Sequence, residues 1–135
     1  MIVLLDTSFL YGLANKRDQR HREALAMSHQ LITYDFRVHT PSPTLLELHG
    51  LLLYRKSLDI DNALVKIQHF LDIFPLIHPD PIDVRDSLTL LRSLKQVKLT
   101  INDAIISSMA TRLGAKVASF DQDFVLMGND VYRWN

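Results

Sequence analysis

The chain has no cysteine among its 135 residues. That excludes a disulfide framework and a thiolate metal site, and it fits a reducing compartment. It also has no excess of either charge, since fifteen basic and fifteen acidic side chains cancel. No overall positive field therefore announces a nucleic-acid binder. Long apolar runs are missing too: the opening MIVLL is too short for a signal peptide and carries no basic leader. The protein is accordingly expected to be cytoplasmic, without a membrane partner. The six histidines, at 21, 29, 39, 49, 69 and 78, show no zinc-site spacing. Neither a G-x-S-x-G elbow nor a phosphate loop occurs. Internal repeats, low-complexity tracts and linkers are likewise absent.

What is present is the composition of a soluble globular protein, 47% hydrophobic and 22% charged, able to bury about two thirds of its unfolded surface. One domain spanning residues 1–135 is the expectation. The apolar IVLL reads as a strand covered on both faces. Asp6 ends it and stands as N-cap of a helix beginning DTSFLYGLA. After a polar break come a helix at RHREALAMSHQLI and a strand near RVHT. PSPTLLELHGLLLY reads as a helix with Ser42 as N-cap and Pro43 in its first turn, and DIDNALVKIQHFLDIF as its antiparallel neighbour. PLIH is a third strand, punctuated by Pro79 and Pro81. Helices follow at IDVRDSLTLLRSLKQV and TINDAIISSMATRLG, the second bounded by Thr100 and Gly114. AKVASF is a fourth strand, continuing into a loop, and DVYRW a short fifth. Strands separated by helices imply parallel pairing with right-handed crossovers. The predicted fold is a three-layer α/β/α sandwich around a mostly parallel sheet of four or five strands. Ligands in such sheets bind beyond the carboxyl ends of the strands, where Asp6 and Asp121 both fall.

Five acids invite a chemical reading, and most have a structural one beside it. Asp6 caps a helix or binds a cation with the same oxygens. Asp103 forms a capping-box-like pair with Thr100 or joins a site. Asp121 and Asp123 make an Asx-turn after the strand or extend the acidic cluster. Glu47 lies on a helix with leucine at 45, 46, 48, 51, 52 and 53, apolar nearly all round and so expected to be buried. No lysine or arginine sits one turn away from it, and a buried carboxylate without a partner is costly enough to want a cation. Asp103, Ser107, Ala110 and Gly114 form a stripe of small residues, read either as close packing or as an open groove. Two acids at strand ends and two near helix starts can converge on one sheet edge. Oxygen-only ligands of that kind suit magnesium or manganese, and close carboxylates repel until a cation or proton neutralises them. Basic residues gather at 15–22, at Arg55 and Lys56, and at Arg92, Lys95 and Lys98. Each group reads as a solvated helix face before it reads as a phosphate contact.

Taken together these motifs resemble PIN-domain proteins, most closely the VapC-type toxins of toxin–antitoxin pairs, over essentially the whole chain. Asp6 in LLDTSFL, Glu47 in PTLLELHGLL, Asp103 in LTINDAIISSMA and Asp121 in ASFDQDF match the family's four acids. Asp123 is an accessory acid, and Ser119 stands where threonine is commoner, keeping a hydroxyl for the acids. The resemblance implies a magnesium- or manganese-dependent endoribonuclease acting on RNA, a homodimer, and an antitoxin that covers the site. Asp6, Asp103 and Asp121 would hold the metal, Glu47 would ligate it or orient water, and Arg17, Arg20 or Arg22 would hold phosphates. A different class of reading is a non-catalytic PIN-like module that binds protein or RNA, its acids only capping helices and its hairpin at 51–54 docking a partner. A phosphatase or phospho-acceptor domain fits less well. Ser8 stands where the former wants a second aspartate, and the paired acids and late lysine of the latter are not evident.

Overall fold

The structure, a computed structural model, describes residues 1–55 and 59–133. Lys56 and Trp134, singled out above, lie outside the described residues. Among the described residues five strands alternate with seven helices: β1 Ile2–Leu5, α1 Thr7–Ala14, α2 His21–Thr33, β2 Arg37–Pro41, α3 Ser42–Tyr54, α4 Ile60–Ile73, β3 Leu76–Ile77, α5 Pro81–Ser93, α6 Ile101–Leu113, β4 Lys116–Ala118, α7 Asp123–Leu126 and β5 Val131–Tyr132. The strands form one sheet in the order β3-β2-β1-β4-β5, and every pairing is parallel. The predicted sandwich is therefore correct, with five strands rather than four.

Alternation along the strands explains the two layers, because successive side chains point to opposite faces. Val3 and Leu5 of β1 face a core built with α1 to α4, including Phe9, Leu10, Met27, Leu48, Leu52 and Phe70. Leu4 turns the other way, onto Ile106, Met109 and Ala110 of α6 and Phe124 of α7. With both faces covered, β1 is apolar at every position, as a buried parallel strand must be.

The order reverses beside β1: β2 and β3 extend the sheet on one side, β4 and β5 on the other. In open parallel sheets such a switch point leaves a crevice beyond the strand ends. Leu5 is level with Ala118, and the Asp6 N–H donates to the Ala118 carbonyl at 3.0 Å. The acids that follow β1 and β4 thus leave the sheet side by side.

Helix ends differ from expectation in three places. Pro41, not Ser42, is the N-cap of α3, because β2 runs directly into the helix. The Thr44 hydroxyl in its first turn donates instead to the Leu5 carbonyl, at 2.8 Å. The fifth helix starts one residue early, at Pro81, under a reciprocal Asp80–Asp83 capping box, and stops at Ser93. Residues 123–126, expected as loop, form α7. The stop at Gly114 is as predicted: its φ of 62° is left-handed, a conformation glycine adopts at little cost.

Candidate metal centre

Asp6 is the most enclosed of the five acids, 3% exposed. Its Oδ2 accepts from the Ser119 hydroxyl at 2.7 Å, the Ser8 hydroxyl at 2.9 Å and the Ser8 N–H at 3.3 Å. The two hydroxyl oxygens are themselves 3.1 Å apart. Ser8 Oγ accepts from the Phe120 N–H, and Ser119 Oγ from the Asp121 N–H. These bonds tie the start of α1 to the segment after β4. They also fulfil the N-cap reading of Asp6. Burial raises the Asp6 carboxyl above its ordinary range, with the bonds from Ser119, Ser8 and the backbone opposing it.

Asp103 is buried in the first turn of α6. Its N–H donates to the Thr100 hydroxyl at 3.2 Å, but among the described residues no bond runs back from its carboxylate to the Thr100 N–H. The capping box is therefore half made, and the carboxylate faces other acids instead. Its pKa is pushed up to about 7, first by burial and then by the charge of Asp6, with further contributions from Glu47 and Asp121 and an opposing bond from Thr100. Like charges held together in a poorly solvated place produce this shift.

Asp121 and Asp123 are half-buried. Asp121 Oδ1 accepts the Asp123 N–H at 2.9 Å, so the Asx-turn forms, with Asp121 supplying the side chain. Burial, then the charge of Asp121 and a hydrogen bond with it, raises the Asp123 carboxyl. Oxygens of Asp103, Asp121 and Asp123 lie within 4.8 Å of one another. One cation could therefore touch three carboxylates, and the all-oxygen donor set fits a hard divalent ion.

Glu47 differs from its predicted setting. Its helix is not buried on every apolar side: Leu46 is 72% and Tyr54 86% exposed, and Glu47 is only half-buried. Its partner is neutral. The Asn102 amide donates to Glu47 Oε2 at 3.2 Å, which brings α3 to the start of α6 beside Asp103. Sequence reading missed Asn102; its position beside Asp103 in the first turn was the available signal. Only the middle of the stripe on α6 resolves as packing: Ser107 and Ala110 are buried, Ser107 being hydrogen-bonded to the Asn129 side chain with its carbonyl accepting from the Asn129 amide, while Gly114 is exposed.

Of the cations near this edge, Arg20 is the best fixed. Its guanidinium lies 5.4 Å from the centroid of the Phe120 ring and 3.0 Å from Glu23. Arg17 and Arg22 are exposed. The histidines join no carboxylate cluster among the described residues; His21, for one, is bonded to the Gly12 carbonyl at 2.8 Å.

The fold that holds this network is shared with solved structures. The structure is similar to the Mycobacterium tuberculosis toxin VapC20, described as a sarcin–ricin loop cleaving toxin, with a TM-score of 0.81 at 22% identity over 98% of this chain and 99% of that one. It is similar to VapBC2 of Rickettsia felis, solved bound to a DNA fragment from its promoter, at 0.77 and 19% over all of both chains. VapBC-1 of nontypeable Haemophilus influenzae follows at 0.75 and 17%, over 99% and 98%. No curated protein matches by sequence. At these identities the likeness establishes the fold. The profile of the PIN domain matches residues 3–129, and the chain belongs to the PIN domain family.

Proposed function

We propose that the protein is a metal-dependent endoribonuclease, one PIN domain over residues 1–135. In this reading it is the toxin of a type II toxin–antitoxin pair and works in the cytoplasm as a homodimer. The observation that carries the proposal is the convergence of acids from four distant segments, residues 6, 47, 103 and 121–123, on the crevice beyond β1 and β4. Nothing in the packing needs so much negative charge together, and its repulsion disfavours the fold.

Asp103, Asp121 and Asp123 would hold Mg2+ or Mn2+, with Asp6 completing the set. Bound there, the ion supplies Lewis acidity that acidifies an attacking water and neutralises charge on the phosphate. Ser8 and Ser119 fix the plane of the Asp6 carboxylate by concentrating three bonds on one oxygen. Asn102 holds Glu47 beside the cluster, where its carboxylate would orient water or add a ligand. Arg20, steadied by Phe120 and Glu23, would meet the RNA backbone. Exposed apolar side chains support protein partners: Leu46, Tyr54, Ile60 and Val65 of the α3–α4 hairpin would receive the antitoxin, and Ile82 and Leu88 of α5 a second copy.

Cleavage of single-stranded RNA tests the reading. Activity that requires Mg2+ or Mn2+ and is lost in Asp6→Asn and Asp103→Asn is expected; equal behaviour of all three proteins with or without metal would refute it. One observation favours a second reading, a non-catalytic binding module: Asp6 already caps α1 and Asp121 already closes an Asx-turn. That reading predicts no effect of millimolar magnesium on the melting temperature.

A further inference from the structure

A second feature lies toward the opposite end of the sheet. Tyr34, Phe36 and Tyr132 form an aromatic cluster in which Phe36 meets Tyr34 edge-on at 6.5 Å between centroids and Tyr132 at 5.6 Å. The Tyr132 hydroxyl donates to Gln30 Oε1 at 2.8 Å. This anchors Tyr132, while Tyr34 stays 65% exposed. Beside the rings is a depression of about 370 Å³ lined also by Lys116 and Arg133.

Its charge sets it apart. No acid lines it, and neither Lys116 nor Arg133 has an ion pair among the described residues. The groove between α5 and α6, by contrast, holds Asp86 together with Arg112, whose guanidinium is spent on Asp83 and Asp80. The hollow beneath β2 sets Asp35 beside Arg37. In a chain of zero net charge, two unneutralised cations next to an exposed aromatic ring make a local exception.

We propose that this depression is an accessory site for single-stranded RNA, with Tyr34 stacking a base and Lys116 and Arg133 holding the adjacent phosphates. Aromatic rings beside a cationic groove are the sequence-tolerant way to hold a single strand. Phosphate contacts from cations supply affinity without sequence choice. Lys116 opens β4 and the acids follow its far end. The Lys116 end of the site therefore lies about 10 Å back along that strand from the crevice, at roughly 3.3 Å per residue, while Tyr132 is level with Ala118. Only an RNA longer than the cleaved step would reach both. The inference rests on RNA being the substrate, but its test does not need cleavage.

The experiment is fluorescence anisotropy of a labelled single-stranded RNA, with the full chain in a metal chelator. Tyr34→Ala should weaken binding roughly tenfold, the order expected for one lost base stack, and Tyr34→Phe should restore it. The double variant Lys116→Ser, Arg133→Ser should reduce the slope of log affinity against log salt by about 1.4, the release expected for two phosphates. Unchanged long-RNA binding in both variants would overturn the proposal. So would polyglutamate displacing RNA as effectively as unlabelled RNA, since the site would then read charge alone. Absence of metal-dependent cleavage together with variant-sensitive RNA binding would remove the nuclease reading and keep this site; cleavage with variant-insensitive binding would do the reverse.

Discussion

Asp83 and Asp103 are both buried aspartates in the first turn of a helix, yet their surroundings push them in opposite directions. Burial alone would raise the Asp83 carboxyl. It is outweighed by the Arg112 guanidinium, which donates to both oxygens at 2.9 and 2.8 Å, and by the Asp80 N–H at 2.7 Å, so Asp83 lies below its ordinary range. Asp103, pushed up to about 7, has burial and three neighbouring acids against it and a hydroxyl in its favour. Asp83 is satisfied within the fold and clamps α5 to α6. Asp103 has no such partner: among the described residues it forms no ion pair, and the charges of Asp6, Glu47 and Asp121 bear on it instead. Perturbed acids gathered at one place in an otherwise consistent structure are what the proposed metal centre accounts for.

The comparison is broken most sharply by paired substitutions. Asp103→Asn should cut RNA cleavage on the order of 10²–10³-fold, the scale of losing one charge-stabilising group, while raising the stability of the metal-free protein in chemical denaturation at pH 8. Asp83→Ala should do the opposite. It should cost about 3 kcal/mol of stability, as expected when one partner of a buried pair is removed, and leave the cleavage rate per folded molecule unchanged. Magnesium should raise the melting temperature of the wild type, by about 2.7 kcal/mol equivalent at a hundred times its dissociation constant, and of Asp83→Ala alike. It should leave Asp103→Asn nearly unmoved. The smallest effect belongs to the supports. Ser119→Ala removes one bond to Asp6 and should cost about 1 kcal/mol, while Ser119→Thr, which keeps the hydroxyl, should leave activity near that of the wild type.

The Asp103 side of this contrast was largely legible in the chain, and the Asp83 side was not. The apolar run of β1 with Asp6 at its end, and Thr100 and Gly114 bounding α6, follow from local rules of burial and capping, and all of them hold in the structure. The acids could be nominated because their positions at strand ends and helix starts are local too. Their convergence depends on the switch between β1 and β4, which only the three-dimensional pairing shows. Glu47 illustrates the limit. A leucine-rich helix promised complete burial, but the face carrying Leu46 and Tyr54 is turned outward, and its partner Asn102 lies 55 residues away. The Asp83–Arg112 clamp was equally hidden, because the two residues are 29 apart and nothing in either segment selects the other. Asp121 was ambiguous for a simpler reason: one carboxylate closes an Asx-turn and faces other acids at once.

The most direct test is the pH dependence of stability in the metal-free protein. A carboxyl whose folded pKa is raised binds its proton in the folded state before the unfolded one, so lowering the pH through that window stabilises the fold. For Asp103 the window runs from about 7 down to the ordinary value of 3.8, and Asp6 and Asp123 act in the same direction. Asp83 opposes them only as it becomes protonated at still lower pH. Denaturant unfolding should therefore show stability falling as pH rises from about 5 to 8, by up to about 1.4 kcal/mol per pH unit for each group titrating. Saturating magnesium should abolish that fall, as should Asp103→Asn in large part. A profile that is flat or rises with pH in the chelated wild type, or one that magnesium leaves unchanged, would contradict the claim that these acids form a metal centre.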